Sequence, residues 1–195
     1  MPGADLRSPA EVREFWFCER ARRLWFEKDP AFDDEIRTRF GATVAAACAG
    51  ELGGWAAEPE GCLQLVVLLD QFPRNIFRGT PRAFAADPMG RQVAGRAIDR
   101  GFDQRTPVDR RFFFYMPFEH SEDPEDQRRS VMLFRRWAEA QTGAAREQAF
   151  DQLTYVLRHQ EAIERFGRFP HRNAILGRES TGAEIAFLQE PKSSF

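Results

Sequence analysis

The sequence predicts an all-α protein. Helix-start signals recur along the whole chain, and between them apolar residues return at three- and four-residue intervals. No run of strand length alternates apolar and polar residues with strand chemistry. The 195 residues accommodate about eight to ten helices with short connections.

Taken in order, Ser8-Pro9-Ala10-Glu11 places an N-cap serine, a proline at the first helical position and an acid at the third. Asp29-Pro30, Thr80-Pro81 and Asp87-Pro88 repeat the cap-plus-proline device. Asp123-Pro124-Glu125-Asp126 adds acids in the first turn, where the helix dipole favours them. Thr181-Gly182-Ala183-Glu184 is a further capping box. Gly50, Gly79, Gly101, Gly143 and Gly167 each follow a helical stretch and read as stops. Phe32, Ile36, Phe40, Val44 and Ala47 keep one stripe, and Leu133, Phe134 and Trp137 belong to another. Leu63 to Phe72 is apolar nearly all round and predicts a central buried helix. Phe150, Leu153, Leu157 and Phe166 mark a long helix near the C-terminus. Phe112 to Met116 is the one β-prone stretch, and its flanks allow a buried helical turn. No linker or composition shift interrupts the chain, so residues 1–195 read as a single domain.

A net charge of −2 argues against a generic nucleic-acid binder, which carries a strongly basic domain. Of 28 basic residues only Lys28 and Lys192 are lysines and 26 are arginines. Genomic composition produces such a bias without function. Guanidinium forks, however, also bind carboxylates and phosphates in a way that lysine cannot. Cys18, Cys48 and Cys62 form no C-x-x-C pair. Cys48 and Cys62 read as small buried hydrophobes in a reducing compartment. Met1 to Arg13 lacks the apolar core of a signal peptide, and Leu65–Leu69 is too short to span a bilayer. The expectation is a cytoplasmic protein with no membrane or nucleic-acid partner.

Three polar segments could carry chemistry. In the first, Asp70 to Gly79, Pro73 removes a helical hydrogen bond, so the chain is expected to kink or restart there. Either Gln71, Arg74 and Asn75 satisfy the freed carbonyls, or Asp70, Arg74 and Arg78 line a pocket; Arg74 and Arg78 share a face at i,i+4 spacing. In the second, Glu119, His120 and Glu122 form an acid–base cluster before a helix start. A carboxylate beside an imidazole suits general-base work, while Ser121 and Asp123 offer a plain capping alternative. In the third, Arg165, Arg168, Arg172 and Arg178 surround Gly167, Pro170 and His171, and Asn173 adds an amide. These arginines either bind an anion near the Thr181 helix start or staple the loop to carbonyls and to the acids of the second segment.

His159, between Val156 and Ile163, reads as a satisfied core histidine. Histidine spacing matches no metal-ligand pattern, and no P-loop, G-x-S-x-G or G-x-G-x-x-G occurs, so neither a metal nor a cofactor is expected. Because buried charges need partners, Asp70, Arg74, Glu119, His120, His171 and Arg172 are expected to approach one another. Phe72-Pro73-Arg74-Asn75-Ile76 also echoes Phe169-Pro170-His171-Arg172-Asn173-Ala174-Ile175.

Several of these stretches resemble one family. They are Phe15-Trp16-Phe17, Leu24-Trp25-Phe26 through Asp33, Leu69 through Asn75, Tyr115-Met116-Pro117-Phe118-Glu119-His120-Ser121-Glu122, and Arg165 through Asn173. The family is the bacterial "domain of unknown function 924", and the resemblance covers almost the whole chain. It implies antiparallel helices packed as a tetratricopeptide-repeat-like right-handed array, and brings no activity, cofactor or catalytic residue with it. Two functions fit the residues. One is a binding module whose arginine-lined cleft takes a peptide or anionic small molecule through Asp70, Arg74, Asn75, Arg78, Arg168, Arg172, Asn173 and Arg178. The other is a small enzyme with Glu119, His120 and His171 as acid–base groups acting on a carboxylate- or phosphate-bearing substrate.

Overall fold

The computed structural model describes residues 6–191 and Ser193, and they fall into two compact units, 1–106 and 107–195. Among the described residues there are nine α-helices, four 3-10 turns and no strand. No helix among them is long and apolar enough to cross a membrane.

The first unit holds α1 (Pro9–Trp16), α2 (Glu19–Arg22), α3 (Pro30–Cys48), α4 (Pro59–Ile76) and α5 (Asp87–Asp99). The Ser8 capping box forms as expected, and Asp29 accepts the amides of Ala31 and Phe32 at the head of α3. α4 buries fourteen of its eighteen residues and packs against α1, α3 and α5. The predicted stripe of α3 is its buried face, and Phe32, Ile36 and Phe40 meet Phe15, Trp16 and Phe72 in an aromatic core. Phe40 lies 5.2 Å from Phe72 and Phe15 4.8 Å from Phe40, spacings at which ring pairs add to simple burial. The Trp25 indole donates to the Trp16 carbonyl, which ties the turn after α2 to this core. At Gly61 a Cβ would fall 2.6 Å from the Trp55 carbonyl oxygen, so only glycine lets α4 start against the Gly53–Ala57 3-10 turn.

The second unit holds α6 (Met116–Glu119), α7 (Pro124–Glu139), α8 (Gly143–Phe166) and α9 (Gly182–Phe187). α7 and α8 pack along each other across a three-residue connection, a helical hairpin. Phe112 to Phe114 form a buried 3-10 turn, so the β-prone stretch is helical. Trp137 packs on Phe112 of that turn and Phe134 on the neighbouring Tyr115, and Ala162, Ile163, Phe169 and Phe187 form a smaller core. Gly167 ends α8 in the left-handed conformation at φ +67°.

Several local expectations are corrected. α4 runs through Pro73 without restarting, because the buried turns on either side hold it, and the Arg74 guanidinium donates to the Asp70 carbonyl at 2.6 Å. Asp87 does not cap α5; it is the first residue of that helix, and its carboxylate is taken by Arg74. Gly143 begins α8 rather than simply ending α7. Phe150 and Leu157 lie on the exposed side of α8, whose buried face is Ala149, Leu153, Val156, His159 and Ile163. Cys48 is exposed at the last position of α3, one residue past the stripe that ends at Ala47, while Cys62 is buried as expected. Burial pushes the Cys62 thiol up to about 11.

Candidate functional site

The first segment is held by carboxylates of its own unit. Arg74 makes two parallel bonds to Asp87 (2.8 and 2.9 Å), joining α4 to α5. Arg78 does the same to Asp33 of α3 (2.6 and 2.8 Å), and Asn75 donates to that carboxylate at 2.8 Å. Burial alone would raise the Asp33 carboxyl, but the bonds from Arg78 and Asn75 outweigh it and hold the group below its ordinary value. Asp70 is fully buried and accepts the Gln71 amide at 2.5 Å.

In the second unit the third segment is laid over the second. Glu122 accepts both terminal nitrogens of Arg178 (2.8 and 2.9 Å) and the Phe169 amide at 2.8 Å. Here too burial would raise the carboxyl, and the Arg178 and Phe169 bonds hold it below its ordinary value. Arg168 makes two bonds to Glu184 of α9 (2.7 and 2.9 Å) and reaches the Glu179 carbonyl. Glu184 also completes the capping box with Thr181, and its carboxyl falls to about 2, chiefly through Arg168. Asn173 is buried and donates to the Ser180 hydroxyl at 3.0 Å. The forks of Arg168 and Arg178, like those of Arg74 and Arg78, are thus filled by the protein's own carboxylates. The echo between the two Phe-Pro stretches is not structural, since the first lies inside α4 and the second spans the Pro170–Arg172 3-10 turn.

All three histidines gather in this unit. His159, at 4% exposure, projects from the middle of α8, and its Nδ1 lies 2.8 Å from the Tyr155 carbonyl and 3.2 Å from Glu119 Oε1. A carbonyl only accepts, so Nδ1 carries the proton, and in the neutral ring Nε2 carries the lone pair. Burial keeps the ring neutral well below the usual imidazole range, against the Tyr155 bond, and the nearby His120, His171 and Arg172 act with burial. The His120 ring centre is 6.2 Å from that of His159. Phe169 is the hub on the other side: His159 meets it edge-on at 5.4 Å, His171 lies 5.6 Å away, and the Arg172 guanidinium stands 4.5 Å from its centre. Glu119 and Arg172 are buried, and His120 and His171 are half-buried.

Of the residues expected to converge, Glu119, His120, His171 and Arg172 therefore share one neighbourhood in the second unit, joined by His159. Asp70 and Arg74 belong to the first unit. No group of three or more His, Cys, Asp or Glu with metal-holding geometry occurs among the described residues.

Two residues of this neighbourhood lay outside the sequence expectations. Phe169 reads as ordinary core until its ring partners are seen. Gln127, buried on α7, turns its amide back to the carbonyls of Phe118, Glu119 and Ser121 and so fixes the end of α6. A polar residue on an otherwise amphipathic helix gives no hint that it reaches backward. Asp123 caps α7 as the plain reading of the second segment requires, and Ser121 bonds the Asp123 amide and the Asp126 carboxylate.

A helical unit with a cluster of three histidines braced by internal ion pairs is the class this geometry defines. The chain matches the model of "Bacterial protein of unknown function (DUF924)" over residues 12–192 and belongs to that family. It is similar to the solved structure of a protein of unknown function, ATU0120 from Agrobacterium tumefaciens. The two share 42% identity and a TM-score of 0.80, over 93% of this chain and 96% of that one. No protein of curated function matches the chain.

Proposed function

We propose that the second unit carries a small acid–base site in which His120 and His171 exchange protons with a carboxylate- or phosphate-bearing substrate held beside Arg172. The observation behind this reading is the gathering of all three histidines of the chain around one buried imidazole, with Glu119 on one side and Arg172 on the other. A spread of proton affinities is what acid–base work needs. His159 supplies one end of that spread, being kept neutral by burial. The half-buried rings of His120 and His171 supply groups nearer the surface. Arg172 provides the positive charge that a developing anion requires.

The competing reading, a binding cleft lined by Asp70, Arg74, Asn75, Arg78, Arg168, Arg172, Asn173 and Arg178, draws less support because the forks of Arg74, Arg78, Arg168 and Arg178 already hold internal carboxylates. The α7–α8 hairpin is in keeping with a tetratricopeptide-repeat-like arrangement within that unit, and a cytoplasmic location belongs to the same proposal.

The test is a two-dimensional NMR titration of the three histidine rings with inorganic phosphate and with citrate at matched ionic strength. The expected result is a saturable shift of His120 and His171 in wild type that Arg172→Gln removes. If neither anion moves any ring, the cluster is a structural one and the proposal fails. Native mass spectrometry of freshly purified protein then asks which small molecule is retained.

A further inference from the structure

The chain has 26 arginines, and its use of them is uneven. All but three of the side chains make a hydrogen bond, ion pair or ring contact; the guanidiniums of Arg96, Arg135 and Arg136 make none with any described residue. Two of the three are adjacent on α7. Glu139 stands four residues from Arg135 and three from Arg136, the spacing at which helical ion pairs form, yet no pair is made. Arg135 and Arg136 line a shallow groove of about 310 Å³ with Arg128, Val131, Met132 and, from α8, Gln160. Met132 is 49% exposed in the middle of it.

We infer that this groove docks an acidic helical segment of a partner protein, a role separate from the histidine cluster. The lining holds three guanidiniums and no acid, so its occupant is anionic. Arg128 pairs with Glu125 at the surface, a bond that an incoming carboxylate replaces at little cost. Met132 between the guanidiniums asks for an apolar group on the same occupant, which inorganic anions lack. Methionine adapts to irregular partners, and methionine and arginine are enriched at protein interfaces.

Nucleic acid fits less well. The chain carries a net charge of −2, and the groove offers no aromatic ring on which a base could stack. The spacing also suits a helix. Arg128 and Arg135 are seven residues apart, about 10 Å along the axis at the α-helical rise. A second helix lying along α7 presents residues i and i+7 at that same separation, with residue i+4 over Met132.

The experiment uses the full chain and a fluorescein-labelled stapled helical peptide with Glu at i and i+7 and Leu at i+4, followed by anisotropy. A control peptide of the same composition sets the acids at i and i+5. Binding of the matched peptide is expected to weaken with salt and to fall roughly tenfold in Arg135→Gln/Arg136→Gln. Met132→Ser is expected to weaken it with less effect on its salt dependence. Circular dichroism melts establish that each variant stays folded, which solvent-facing positions on α7 should allow. Equal binding of the two peptides, or unchanged binding by the double arginine variant, overturns the proposal. Displacement of the matched peptide by single-stranded DNA at lower concentration than by unlabelled peptide also overturns it and makes the groove a nucleic-acid surface.

Discussion

Arg178 grips Glu122 with both terminal nitrogens, and the same carboxylate takes the backbone amide of Phe169. The bond matters because Phe169 is the ring on which His159, His171 and Arg172 converge. The ion pair is thus the support of the cluster rather than a member of it. Glu122→Ala should strand the Arg178 fork and the Phe169 amide together and cost about 1–3 kcal/mol in urea unfolding. If the loss is no larger than for an exposed pair such as Arg37–Asp34, Phe169 is placed by packing alone.

In the first unit the corresponding prediction concerns Arg74. Replacing it with Met keeps the length of the side chain but takes from Asp87, largely buried, both bonds of the guanidinium fork. A loss of about 1–3 kcal/mol is expected. Asp87→Asn in the Arg74→Met background should restore part of it. Absence of such coupling in the double-mutant cycle would count against a working bond.

Arg172→Ala separates two roles. If Arg172 only braces Phe169, the variant loses stability whether or not an anion is present. If it binds an anion, phosphate or citrate at matched ionic strength should raise the wild-type melting temperature by mass action, and the variant should lose that rise. Thermal melts of the two proteins with and without each anion decide between these outcomes.

His159 sets a pH signature. Its folded-state affinity for protons lies below the ordinary value of 6.5, so the unfolded chain binds the proton first. The stability it contributes is complete above about 6.5 and is lost as pH falls below that value. Long-range nitrogen–proton NMR should show the Nδ1-protonated tautomer at neutral pH, with the titration of the ring displaced below the ordinary imidazole range. An Nε2-protonated ring would contradict the Tyr155 bond.

Glu184 acts lower on the scale. Its carboxyl is depressed from 4.5 to about 2, so its contribution is complete above 4.5 and fades toward 2. Removing Arg168, the largest cause, should move the carboxyl carbon titration of Glu184 upward while the Thr181 capping box keeps part of the depression. A midpoint that stays near 2 in Arg168→Ala would assign the shift to the cap.

The helices were legible where a local signal suffices. Ser8, Asp29, Asp123 and Thr181 cap as their neighbours predict, and the α3 stripe is the buried face. Errors arose where two uses compete for one residue. Asp87 has the sequence of a cap, and its partner Arg74, thirteen positions away, is invisible to local pattern. Phe150 and Leu157 are apolar and helical, yet the face they mark is the exposed one, because His159 rather than Leu157 turns inward. Glu119, His120, His171 and Arg172 could be named from composition. Their approach follows from the need of buried charges for partners, but its geometry does not, since it depends on Gln127 and Phe169, whose partners come only with the packing of α6 and α8.

The Asp33 carboxylate has a consequence for how α3 and α4 find their alignment. The run from Leu63 to Phe72 is buried on nearly every side, and its apolar residues, Leu63, Leu65 to Leu69 and Phe72, adhere well at many offsets. Sliding α4 by one turn, about 5.4 Å, would exchange one leucine or valine for another at little loss. It would also pull Asn75 and Arg78 away from the one acceptor that both use. Asp33 therefore works as an index mark, seconded by the Arg37 bond to the Ile76 carbonyl: the hydrophobic residues decide that the two helices stick, and these polar contacts decide where.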